Sequence, residues 1–117
     1  MNVAALLHEL SEESKRRSYI LRYEILDQTT NLIKARLFIS PDLFIQVYRN
    51  DRYDSTNYSL IHNQTRIFGR DQLSQVWHRH TVDAPEAHDK SADGRKAVNL
   101  ADFLDEIEII LAALNLP

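Results

Sequence analysis

The amino-acid sequence predicts an α+β domain: an antiparallel meander of about five strands between roughly residues 19 and 71, with N- and C-terminal helices packed on one face. Three observations predict it. The apolar period changes from that of a helix to two near Tyr19 and returns to the helical value near Val98. The alternating segments are joined by short, turn-rich links, which antiparallel neighbours can use and parallel ones cannot. At 117 residues, with 44% hydrophobic and 26% charged, the chain 1–117 has the size and composition of one domain that buries a core without metal or disulfide.

Each element has its own signal. Val3, Leu6, Leu7 and Leu10 stand at i, i+3, i+4 and i+7, the apolar stripe of a first helix that ends near Ser14 to Arg17, where Lys15, Arg16 and Arg17 suit the negative end of the helix dipole. Leu21, Tyr23 and Ile25 then alternate with Arg22 and Glu24, which predicts a half-buried strand. Ile33, Ala35, Leu37 and Ile39 form a second strand and Leu43, Ile45 and Val47 a third, joined by a tight turn at Ser40-Pro41-Asp42. Tyr58, Leu60 and His62 mark a fourth strand, and Thr65 to Arg70 a short fifth one beyond Asn63-Gln64. From about Gln72 to Ala97 no apolar period survives, so this stretch reads as a long loop, held to order by Trp77. Val98, Leu100, Phe103, Leu104, Ile107, Ile110, Leu111 and Leu114 restore the helical period, with Asn99 as the N-cap.

Composition narrows the chemistry. The absence of cysteine removes zinc ribbons, iron–sulfur sites and thiol nucleophiles. The apolar start is too short for a signal peptide and no run approaches membrane-spanning length, so a soluble cytoplasmic protein without membrane association is expected. The net charge of −3 hides an asymmetry: residues 15 to 80 hold eleven Lys and Arg against six Asp and Glu, whereas the closing segment is acidic. Arg22, Lys34, Arg36 and Tyr48 fall on the face of the sheet away from the helices. With Arg79 they are candidate contacts to the phosphates and bases of RNA. Solvated charges, a homodimer through that face, or a covering loop are the alternatives.

The densest chemistry is Trp77-His78-Arg79-His80 followed by His88: three of the five histidines lie within eleven residues. If residues 77 to 80 are extended, His78 and His80 project to one side, and a chain reversal at Pro85 brings His88 toward them. Two imidazoles can exchange protons with a ribose 2′-hydroxyl and its leaving oxygen, with Arg70 as the phosphate stabiliser. Three neutral imidazoles can equally hold a first-row metal ion, and exposed loop histidines can be incidental. Spacing leaves these open. No Gly-rich phosphate loop or nucleophile elbow is present.

Leu21-Arg22-Tyr23, Tyr58-Ser59-Leu60-Ile61-His62, Arg66-Ile67-Phe68-Gly69-Arg70-Asp71, Trp77-His78-Arg79-His80 and Ala84-Pro85-Glu86-Ala87-His88, followed by an acidic helix, resemble in their order the TumE-type toxins of prokaryotic toxin–antitoxin pairs. The resemblance covers residues 18 to 114. Gln72-Leu73 follows Asp71 where the family often carries asparagine and then proline and histidine. The resemblance implies a small toxin encoded beside a helix-turn-helix antitoxin, with ribonuclease activity. The leading expectation is therefore a metal-independent endoribonuclease with no cofactor, in which His78 and His80 form the acid–base pair and Arg70 and His88 complete the site. A non-catalytic protein-binding module and a metal-dependent hydrolase are the alternatives.

Overall fold

A computed structural model of the chain describes residues 2–117. Its elements are α1 (Val3–Arg16), β1 (Arg22–Gln28), β2 (Leu32–Ser40), β3 (Leu43–Asn50), β4 (Ser55–His62), β5 (Thr65–Leu73), β6 (Val76–His80) and α2 (Leu100–Ala113). The strands form one antiparallel sheet in the order β1-β2-β3-β4-β5-β6. The α+β meander thus has six strands among the described residues rather than about five. No helix among them is long and apolar enough to cross a membrane.

The additional strand lies inside the segment that reads as a loop. β5 runs on to Leu73, and Ser74-Gln75 turns the chain with Ser74 in the left-handed region, at φ 56°, so that Leu73 pairs with Val76 and Asp71 with His78. The alternation of β6 is hidden because only Trp77 on its inner face is apolar. Arg79, the next residue on that face, is held by ion pairs instead.

Both helices are capped as their sequences require. The Asn2 side chain accepts from the Ala5 N–H at 2.8 Å, and Asn99 and Asp102 exchange side-chain and backbone hydrogen bonds in a capping box. Val3, Leu6 and Leu10 of α1 and Phe103, Leu104 and Ile107 of α2 pack onto the even-numbered inner residues of β4 and the odd-numbered ones of β2 and β3. Arg17, buried at the C-cap of α1, joins the helices through Glu13, Asp105 and Glu108.

β1 departs from expectation. All seven of its residues are exposed, and Leu21 before it is 70% exposed. Tyr23 and Ile25 face the helix side, opposite Leu37 and Ala35, but α1 touches this strand only in part and leaves them 40% and 36% exposed. Two helices side by side cover about 20 Å, whereas six strands span about 24 Å, so one edge of the sheet overhangs.

At the other edge, residues 81–99 wrap around β6 from one face of the sheet to the other. Pro85 lies against His80 on the open face. The Asp93 carbonyl accepts from Arg70 on the helix face.

Candidate functional site

The open face is organised by strand register. Lys34, Tyr48, Asn57, Asp71 and His78 are successive cross-strand neighbours in one row, and Arg36, Gln46, Ser59, Gly69 and His80 form the next. Cross-strand partners share a face, so both rows run across about 19 Å and end at the histidines. The basic character is diluted at the far end. Asp27 pairs with Lys34 and Glu24 with Arg36, and Arg22 is ion-paired to Glu24 while stacking on Phe38. Arg36 stacks on Phe44 and donates to Gln46, and Tyr48 stands half-buried between Lys34 and Asn57.

Three imidazoles meet at the β6 end. Ring centroids are 5.4 Å apart for His78 and His80, 4.4 Å for His78 and His88, and 4.8 Å for His80 and His88. Asp71 is the hub: its Oδ2 lies 2.8 Å from His80 Nε2 and 3.4 Å from His78 Nε2, while Asn57 donates to its Oδ1. His80 is only 2% exposed and both its nitrogens are engaged. Its Nδ1 is 3.0 Å from the Pro85 carbonyl and 3.3 Å from Arg66 Nη2. His78 is half-buried and His88 exposed. Burial pushes the His78 imidazole below its ordinary value; Asp71 opposes this, and the charges of His88, His80 and Lys90 add to the lowering.

His88 arrives through an isolated backbone pairing of Arg79 with Asp89. Asp89 is held on the Arg79 guanidinium, with Nε donating at 2.8 Å, and Arg79 also reaches Asp93. The loop turns back so tightly that a Cβ on Gly94 would lie 2.2 Å from the Asp89 carbonyl oxygen, so only glycine fits there.

The two remaining arginines proposed from sequence do not join the histidines. Arg70 alternates with Asp71 and points to the helix face, where Nε and Nη2 donate to Glu106 at 2.9 and 2.7 Å and Nη1 donates to the Asp93 carbonyl. Arg79 alternates with His78 and His80 and is committed to Asp89 and Asp93. Both lack access to a phosphate on the open face for the same reason: successive side chains of a strand point to opposite sides. The cations beside the imidazoles are Arg66, which touches His80, and Lys90, whose charge acts on His78. Arg66 and Lys90 had no signal in the sequence, and Asp71, whose carboxylate the Gly69-Arg70-Asp71 run places at the mouth of the loop, was not among the predicted site residues. The clue to Asp71 was its two-residue spacing from Gly69 in a strand that continues past residue 70.

The donor atoms of His78, His80 and His88 all lie within 4.8 Å of one another, a set that can hold a metal ion. Tetrahedral zinc needs nitrogens about 3.4 Å apart, so the rings would have to close and His80 would have to release a present partner. No family model, curated protein or solved structure matches the chain.

Proposed function

We propose that the chain is a toxin-like endoribonuclease that cleaves RNA by transphosphorylation without a metal. The observation that carries this reading is the meeting of His78, His80 and His88 around Asp71, at the end of two polar rows crossing an open sheet face. His78, kept neutral by its surroundings, takes the proton of a ribose 2′-hydroxyl. The 2′-oxygen bonds to phosphorus, the bond from phosphorus to the 5′-oxygen breaks, and His88 passes a proton to that oxygen. The products are a 2′,3′-cyclic phosphate and a 5′-hydroxyl. His80, buried with both nitrogens engaged, is a positioning residue that fixes Asp71 rather than the second proton carrier. Arg66 supplies positive charge beside the site in place of Arg70.

The test is cleavage of single-stranded RNA by the purified chain with EDTA present. Cyclic-phosphate ends, loss of cleavage when the 2′-hydroxyl is removed, and a drop of about a hundredfold in His78→Ala and His88→Ala are expected. Loss of activity in EDTA with recovery on one divalent ion favours the metal-dependent hydrolase, for which the compact donor set speaks.

A second reading rests on β1, whose unpaired edge carries exposed Leu21, Tyr23, Ile25 and Leu26. Such an edge suits pairing with a protein strand or an apolar partner surface, here a cognate helix-turn-helix antitoxin. Tight binding of the neighbouring-gene product with no RNA cleavage under any condition replaces the enzyme reading with this one.

A further inference from the structure

β6 is the last strand of the sheet, and among the described residues its outer edge is paired by backbone only at Arg79 with Asp89. Toward the β5–β6 turn, the returning loop stands away from the strand. The space between them is a cavity of about 420 Å³ lined by Gln75, Val76, Trp77, His78, Lys90 and Arg95. That volume lies in the range of small-molecule sites. Its chemistry is asymmetric. Val76, 63% exposed, and Trp77, largely buried behind it, supply an apolar wall, while Lys90 and Arg95 bring two positive charges and no carboxylate is among the residues that line the space.

The two cations differ from the arginines nearby. Arg70 is neutralised by Glu106, and Arg79 by Asp89 and Asp93. Lys90 and Arg95 are exposed and have no carboxylate partner among the described residues. An anion entering the cavity meets both of them and the His78 ring together, in a recess where solvent screening is weaker than on a flat surface. An apolar wall beside paired cations fits a base and a phosphate on one ligand.

We infer that this cavity is a nucleotide subsite of the histidine site: it holds the base and phosphate of the nucleotide flanking the scissile bond in single-stranded RNA. This rests on the reading of the histidines as a phosphodiester-cleaving site. A duplex cannot enter, because the base must leave its stack to lie against Val76 and Trp77.

Binding is measured separately from cleavage. Uridine and adenosine 3′-monophosphate, and the corresponding nucleosides, are titrated into the wild-type chain and into Lys90→Gln/Arg95→Gln, with unchanged thermal unfolding of the variant as the control. The nucleotides are expected to bind the wild type at least tenfold more tightly than the nucleosides, and the double variant should lose about tenfold in nucleotide affinity and raise KM for RNA similarly. Chemical-shift changes should centre on the Trp77 indole and His78. A phosphate that adds nothing over the nucleoside, or equal nucleotide binding by the variant, overturns the inference even if RNA is cleaved. Nucleotide binding as expected in a chain that cleaves no RNA supports the subsite while removing the cleavage reading.

Discussion

Arg79 and Asp89 are joined twice, through their backbones and through their side chains. The Asp89 N–H donates to the Arg79 carbonyl at 2.7 Å, the Arg79 N–H donates back at 3.2 Å, and the guanidinium grips the carboxylate. Since Arg79 stands between His78 and His80 and Asp89 follows His88, this joint sets the distance between the histidine of the loop and those of the strand. A residue on the helix side of β6 thereby determines the geometry on the open side.

Asp89→Ala should therefore impair cleavage without unfolding the sheet. Loss of the side-chain grip lets His88 drift, and a displacement of about 1 Å in such a site is worth on the order of a hundredfold. Kinetics at fixed pH, with far-UV circular dichroism as the control, checks this. Acid should act on the same joint. The Ser91 backbone N–H, and next the Arg79 guanidinium, hold the Asp89 carboxyl down to about 2. A carboxyl depressed in the folded state contributes stability above its ordinary value of about 4, and that contribution is lost as pH falls toward the folded value. NMR signals of residues 86–91 should accordingly shift toward exposed-loop values near pH 2 to 3, before those of β2 and β3.

The pH profile of cleavage should report His78. Its value lies below the ordinary 6.5, so the acidic limb of the rate should fall below that pH. Asp71 pulls this value upward, so Asp71→Asn should move the limb further toward acid while also lowering the plateau, because the carboxylate that orients His78 and His80 is gone. A limb that moves toward alkali in Asp71→Asn would remove His78 as the proton acceptor.

Arg70 should prove a stability residue. Arg70→Met leaves Glu106 and the Asp93 carbonyl without their buried donor. Glu106 keeps partial access to water, which trims the cost of an orphaned carboxylate to about 2–3 kcal/mol. The urea midpoint should fall accordingly, whereas the rate per folded molecule, measured well below that midpoint, should change by less than threefold.

Most of the scaffold was legible because burial repeats with a fixed period. Leu6 and Leu10, or Ile33, Ala35 and Leu37, announce a helix face and a sheet face without reference to anything distant. β1 misled for a related reason: Tyr23 and Ile25 do face the helix side, but how far two helices reach across a sheet is not written in the strand. The candidate site divides the same way. His78 and His80 share a side because alternation is local, and the return of His88 follows from a turn at Pro85. That Arg70 belongs to α2 depends on Glu106, thirty-six positions away, and the dilution of Lys34 and Arg36 depends on the register that sets Asp27 and Glu24 opposite them. Long-range pairing of charges leaves no periodic trace.

That register makes a last prediction with a sign on each side. If RNA crosses the open face along the two rows, Lys34→Ala/Arg36→Ala should weaken binding and flatten its salt dependence, since each lost phosphate contact to a single strand removes about 0.7 from the slope of log K against log salt. Glu24→Gln/Asp27→Asn should do the reverse, tightening binding by removing two negative charges from the strand positions opposite the same two cations. Exposed charges on a sheet face are individually weak, so each double change should amount to about three- to tenfold at low salt and fade near 0.5 M, where salt screens surface charges. Fluorescence anisotropy with a labelled oligoribonucleotide measures both. Equal and unchanged affinities in the two variants would take the RNA off the sheet and confine it to the histidines and the β6 edge.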